Sequence, residues 1–253
     1  MTPQTEDAVK SAAPSLKSVS AERIRDELLK IIQGPSVDRA TAQLHALGLL
    51  DRVLPELIPL VGIEQSPPHH EDVLHHTYSV LRWLEKLEQG LFSHNPPHDA
   101  AIRQAREILA PFLDSLNLHG GRAVDGGLDG RTILRLAALF HDVGKQSTGT
   151  VDENDRIRFF GHAEEGAELI APRLRQLCLS NDAVTQVTRI VAEHMRPLLL
   201  AQSLGAKPSR RAAYRYFKAA GDNGLDVGLL CLLYTSDAAD DPTLVEFAGG
   251  AGG

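Results

Sequence analysis

Four histidines of this 253-residue chain fall on the inward stripe of four separate helical patterns, and one of them is followed at once by an aspartate. His76 lies three residues after Val73 and four before Val80, inside EDVLHHTYSVLRWLEKLEQG, with His75 about a quarter turn away. His141 and Asp142 end the stripe through Leu134 and Ala138 in RTILRLAALFHDVGK. His162 stands ahead of Gly166 and Leu169 on one face, and His194 follows Val184, Val187 and Val191. Any one of these alone reads as a core histidine satisfied by a backbone carbonyl. Burying four imidazoles for unrelated reasons repeats the desolvation cost four times, whereas a shared divalent cation makes all of them ligands. Histidine and carboxylate ligands without thiolate suit Mn, Fe, Co, Ni, Zn or Mg, and one ion or two. Glu164, Glu165 and Glu193 could support the ligands or act as bases, but they sit on outward faces and are expected to be solvated. His45, His69, His70, His94, His98 and His119 lie in the N-terminal segment or in and beside loops, where solvated or loop-capping roles are expected.

The elements that must carry these side chains are helical, and the expected fold class is all-α. Residues 1–18 show no period and read as a flexible lead. Residues 19–64 form a small helical subdomain: Ser20 caps a helix through Ile24, Leu28 and Ile31 that stops at Gly34-Pro35, and Ser36 caps the next, with Ala40, Leu44 and Leu47 on its stripe. Residues 65–232 hold the histidine-bearing bundle, with a loop-rich insertion at 90–130 that contains one helix, about Asp99 to Leu116. GGRAVDGGLDG reads as loop. Gly144 suits a helix C-terminal cap, two further helices run near 162–178 and 182–196, and Pro197 ends the second. RIRFF, from Arg156, is the one strand candidate, and residues 233–253 look irregular.

Composition closes off other classes. No run is long and apolar enough to span a membrane, and the start lacks the order of a secretion signal, so a cytoplasmic protein is expected. Two cysteines, far apart, provide neither a disulfide framework nor a CxxC zinc module. The net charge of -7 argues against a broad nucleic-acid surface, yet six of the seven excess negative charges lie in residues 222–253, which contain no Lys or Arg. A local basic patch is therefore compatible with the total: Arg210, Arg211, Arg215 and Lys218 interleave with Tyr214, Tyr216 and Phe217, and Arg131 pairs in sequence with Arg135. Such residues contact phosphates and stack on bases, or else form a solvated helix face over an aromatic core.

HT at 76–77, FHDVGK at 140–145, FGHAEEGA at 160–167 and VAEHM at 191–195 together resemble the HD-domain metal-dependent phosphohydrolases. SAERIRDELLKII, ALGLLDRVLPEL and DVLHHT further resemble the RNA-binding and HD regions of bacterial CCA-adding tRNA nucleotidyltransferases and poly(A) polymerases, the resemblance covering about residues 20–232. The resemblance implies an HD helical bundle in which His76, His141 and Asp142 bind metal, His162 and His194 hold a second ion, and Asp142 bridges. Asp142 and Lys145 then count as catalytic residues, Lys145 matching the lysine of the HDxGK pattern. It would either neutralise a phosphate oxygen or pair with Asp142, or else serve the carbonyls at that helix end. The implied reaction is metal-assisted hydrolysis of a nucleotide or RNA (tRNA-like) phosphoester.

Two departures from the family pattern stand out. GGRAVDGGLDG has no Asp-x-Asp, so nucleotide addition is not expected of this chain alone. Tyr234 stands where the family places a last ligand aspartate. Asp237 follows it, in a stretch, YTSDAADD, that resembles translated adapter sequence, so a truncated frame and a site one ligand short are expected. The leading expectation is a metal-binding phosphohydrolase that forms part of a tRNA nucleotidyltransferase-like protein. The alternatives are a non-catalytic helical RNA-binding or oligomerisation module with core histidines, and a free-standing HD nucleotide phosphohydrolase.

Overall fold

The computed structural model of the chain describes residues 2–67, 70–93, 99–125, 127–204 and 208–237. The fold is mostly helical. An N-terminal group comprises α1 (Pro3–Ala12), α2 (Ala21–Gln33), α3 (Val37–Ala46) and α4 (Leu50–Val53), with 3-10 turns at Ala13–Ser18 and Pro55–Leu60. The long α5 (Val73–Phe92) leads to α6 (Ala100–Leu109), α7 (Leu113–Gly120) and a short antiparallel pair, β1 (Ala123–Asp125) with β2 (Leu128–Asp129). Then come α8 (Gly130–Phe140), α9 (Lys145–Thr148) and the hairpin of β3 (Gly149–Val151) and β4 (Ile157–Phe159), in which Gly149 faces Phe159 and Val151 faces Ile157. The chain continues through α10 (His162–Gln176), α11 (Asn181–Glu193), α12 (Arg196–Leu204), α13 (Arg210–Ala220) and α14 (Gly224–Asp237).

Helices α5, α8, α10 and α11 pack around one apolar core, with Leu74, Leu84, Ile133, Leu136, Phe140, Ile170, Val187 and Ile190 all fully or almost fully buried. Leu28, Ile32, Leu50, Leu54, Leu57 and Leu60 belong to the same cluster, so the core runs unbroken from the N-terminal helices into the bundle. Arg135 fastens the two. Its guanidinium donates to the carbonyls of Ile32 (2.8 Å) and Gly34 (3.0 Å) and to Glu88 on α5 (3.1 Å). Burial pushes the Glu88 carboxyl up despite that guanidinium.

Several local expectations change. The lead expected at 1–18 is helical over Pro3–Ala12, with Thr2 as N-cap and Pro3 in the first turn. That helix buries no residue, so no apolar stripe announces it. Neither Ser20 nor Ser36 makes a side-chain cap. Ser36 is left-handed (φ 55°), and its amide donates to Glu85 at 2.9 Å. Within 90–130 the single helix expected from Asp99 to Leu116 is two, broken where Ala110–Phe112 tighten around Pro111, and the stretch expected as loop after it holds β1 and β2 at Ala123–Asp125 and Leu128–Asp129. The RIRFF strand forms but needs β3, which carried no signal of its own. Pro197 does not end a helix: α11 stops at Glu193, and Pro197 sits in the first turn of α12, where its missing N–H leaves no bond unmade. Helix α14 runs to Asp237 with Leu233 buried, so the irregular tail does not begin at 233. The side chains of Tyr234 to Asp237 and all of 238–253 lie outside the described residues.

Candidate metal centre

Four helix ends converge on Asp142. Asp72 caps α5 by accepting the His75 amide at 2.8 Å, which sets the first turn from which His76 points inward. Asp129 caps α8 through the Thr132 amide (2.8 Å), and the helix ends by delivering His141 and Asp142 into the core, 0% and 1% exposed. The β3–β4 hairpin places His162 at the first position of α10, and His194 closes α11.

Three of the imidazoles are held in the same way. Each Nδ1 faces the carbonyl oxygen three residues earlier: His141 to Ala138 (2.7 Å), His162 to Phe159 (2.7 Å) and His194 to Val191 (2.6 Å). A carbonyl can only accept, so Nδ1 carries the proton and Nε2 presents its lone pair to the centre. Around Asp142 the Nε2 atoms divide by carboxylate oxygen. Oδ2 lies 3.1 Å from His141 and 3.6 Å from His76, while Oδ1 lies 3.3 Å from His162 and 3.9 Å from His194. The ligand atoms of His76, His141 and Asp142 lie within 4.8 Å of one another, as do those of Asp142, His162 and His194, so each trio could hold a cation.

The electrostatics fit such an ion. Burial pushes His141 down, against the pull of Asp142, and takes His194 down to about 3, so both rings are neutral near neutrality. Burial opposes ionisation of Asp142, but the Lys145 ammonium beside it holds its carboxyl well below the usual range. His162 and His194 bring their Nε2 atoms to 3.2 Å. With Nδ1 of each committed to a carbonyl, a direct bond between them needs an extra ring proton, which burial opposes at His194, whereas a divalent cation accepts both lone pairs.

Lys145, 7% exposed, donates from Nζ to Asp142 Oδ2 and to Gln65 Oε1, both at 2.7 Å. It begins α9 and does not serve the carbonyls of a helix end. Gly144 is likewise no left-handed cap. Its φ is -71°, and it lies against the start of α10, where a Cβ would meet the His162 carbonyl oxygen. Gln65 went unread in the sequence because it belongs to an aperiodic loop, and that loop is fixed from afar, Ser66 Oγ accepting the Ile157 amide at 2.7 Å. A cleft of about 1010 Å³ reaches the centre at Lys145 and His162, its rim carrying Arg158, Arg196 and Phe160, the last 80% exposed.

The remaining candidates separate. His75 is exposed and pairs with Asp72, and His45 is half-buried, 3.5 Å from the Tyr78 hydroxyl. His70 is exposed, while His69, His94 and His98 lie outside the described residues. His119 is not a solvated loop residue: it sits on α7, 3.0 Å from buried Asp226, which Arg122 also holds at 2.9 Å. Glu164 and Glu165 are exposed, and Glu193 pairs with Arg196. Arg135 is committed to Glu88, and Arg131 to Asn117 and the ring of Phe92, so this pair is structural. On α13, Arg210, Arg211, Arg215 and Lys218 are exposed with Tyr214 and Phe217, while Tyr216 turns inward and donates to the Gly224 carbonyl.

A helical bundle whose helix ends deliver His76, the adjacent His141 and Asp142, His162 and His194 to one buried point presents an HD-type donor set that could hold a metal. The chain belongs to the HD-domain family, whose profile matches residues 73–219, and a second profile, "Probable RNA and SrmB- binding site of polymerase A", matches residues 1–60. It is 34% identical over 199 residues to the A-adding tRNA nucleotidyltransferase of Deinococcus radiodurans, covering 76% of this chain and 37% of that one. To the CC-adding tRNA nucleotidyltransferase of Thermus thermophilus it is 32% identical over 200 residues, 78% of this chain and 34% of that one. A bifunctional uridylyltransferase/uridylyl-removing enzyme of Haemophilus influenzae is 28% identical over 183 residues, 70% of this chain and 17% of its own. The chain thus spans about a third or less of the length of these relatives.

Proposed function

We propose that the chain is the RNA-binding and HD portion of a tRNA nucleotidyltransferase-like protein, and that it binds one or two divalent ions and hydrolyses phosphoesters of nucleotides or RNA ends. The observation that carries this reading is the division of labour at Asp142, whose two oxygens each face their own histidine pair. His76 and His141 with Oδ2 would hold one ion, His162 and His194 with Oδ1 another. Mn, Ni, Mg, Fe, Co and Zn all remain compatible with this donor set. When bound, the metal polarises a phosphoryl oxygen and lowers the pKa of its water toward about 7. The chain's own part is to keep His141 and His194 neutral, to keep Asp142 ionised, and to admit substrate by the cleft at Lys145 and His162. Lys145 offsets the Asp142 charge and offers a cation to an arriving phosphate.

The relatives are named for nucleotidyl chemistry, addition to tRNA in two and uridylyl transfer and removal in the third, which supports this reading. The match at residues 1–60 favours a second reading, a non-catalytic RNA-binding module whose histidines are core. Metal analysis of the purified chain, with a phosphatase assay in Mn or Ni, separates the two. Bound metal and a metal-stimulated activity that Asp142→Asn abolishes are expected. A metal-free protein without stimulated activity leaves the second reading standing.

A further inference from the structure

We propose that the outer face of α13 is a docking surface for single-stranded RNA, with Arg210, Arg211, Arg215 and Lys218 on phosphates and Tyr214 and Phe217 under bases. At about 100° per residue, these six side chains share one broad face of the helix. All six are exposed, Tyr214 by 66% and Phe217 by 52%. The opposite face is spoken for: Ala220 is buried, Tyr216 is half-buried and bonds to Gly224, and Ser209 caps the helix start, accepting the Ala212 amide at 3.2 Å. The orientation of α13 is therefore set by packing, and what it presents is set by sequence.

An ordinary solvated face mixes both signs of charge. Helix α13 carries no acid at all in a chain of net charge -7, and among the described residues none of the four cations enters an ion pair. Tyr214 and the outer side of Phe217, whose inner side meets Tyr216 and Gly224, lie in water among unpaired cations and match what an unstacked nucleic acid offers, phosphates to neutralise and bases to cover the rings. Duplex RNA hides its base faces, so single strands fit better. An anionic membrane fits worse. A membrane-bound helix needs a free apolar face opposite its cations, and here that face packs against α11 and α14, with Ala220 buried and Tyr216 half-buried.

The inference rests on RNA being a partner, as in the proposed function, but not on metal or hydrolysis. The test is fluorescence anisotropy of the full chain with a short labelled single-stranded RNA across a salt series. Replacing Arg210, Arg211, Arg215 and Lys218 together by alanine is expected to lower the slope of log affinity against log salt by roughly 3, since each single-strand contact contributes about 0.7. Tyr214→Ala, a milder change, is expected to weaken binding by about 5-fold or more with the slope unchanged. Unaltered melting of both variants shows that the fold is intact. If the wild type binds RNA and both variants keep its affinity and slope, the α13 proposal is overturned while the RNA reading stands. No RNA binding by the wild type overturns both. Tighter binding to phosphatidylserine vesicles or to an acidic peptide than to RNA, lost in the fourfold variant, reassigns the face and overturns the proposal.

Discussion

A Cβ placed on Gly144 would lie 2.1 Å from the carbonyl oxygen of His162 and 2.6 Å from the amide nitrogen of Gly166. The turn after the His-Asp pair and the first turn of α10 are thus in backbone contact, and that contact brings His162 to 3.3 Å from Asp142. Gly144 has an ordinary φ of -71°, so the requirement for glycine is one of space and not of conformation.

Gly144→Ala is accordingly expected to push α10 away. Both obstacles are backbone, which cannot swing aside, so a loss of about 1–3 kcal/mol is expected. A metal affinity lower by about 10-fold or more should accompany it, since His162 moves with the helix. Gly48→Ala is the control: φ is +67° with nothing near the added carbon, so it should cost stability and leave metal content alone. Thermal melts and metal analysis of the two variants check this.

The same residue marks the limit of what the sequence made legible. The histidine stripes could be read because each helix announces its buried face by its own period, and His76, His141, His162 and His194 do meet. Gly144 was legible only as punctuation, because its neighbour is on another helix. Gln65 and the partnership of His119 with Asp226 were hidden for the same reason, being contacts between segments far apart in the chain. Helix α1 was missed for the opposite reason, since a helix with no buried face leaves no stripe.

Asp142 and Lys145 should be energetically coupled. The carboxylate and ammonium meet at 2.7 Å, 1% and 7% exposed, so removing either leaves the other charge buried with less to balance it. Asp142→Asn and Lys145→Met are each expected to destabilise by about 3–5 kcal/mol. The double variant should fall short of their sum by about 0.5–3 kcal/mol. Urea unfolding in the presence of chelator gives the cycle. Metal content then separates the roles, because Lys145→Met should retain metal while Asp142→Asn loses it.

Acid should unfold the chelator-treated protein in a definite window. His194 is held at about 3 when folded and takes up a proton at about 6.5 when unfolded. Between those values the unfolded chain binds the extra proton, so stability is full above about 6.5 and falls as the pH drops toward 3. His141 is pushed the same way by burial, and the depressed Asp142 adds a loss at the acid end. Unfolding midpoints at a series of pH values should decline across this window. The decline should be shallower in His194→Gln, and an unchanged slope would remove His194 as its source.

Asp72 is expected to position His76 without touching the centre. Its Oδ1 accepts the His75 amide at 2.8 Å, and its Oδ2 accepts the Gly62 amide at 2.9 Å, tying the start of α5 to the turn that follows the N-terminal helices. Burial works against its ionisation, but these two amides and the His75 ring hold its pKa below the ordinary carboxylate value. Asp72→Ala deletes the cap and should cost about 1 kcal/mol. Asp72→Asn keeps an acceptor for the His75 amide and should recover most of that loss. Because His76 lies on the turn that Asp72 starts, the alanine variant should also bind metal more weakly, with rescue by asparagine. Equal metal affinity in the two variants would reduce Asp72 to a cap alone, since a cap that does not reach the site alters melting and leaves ligation unchanged.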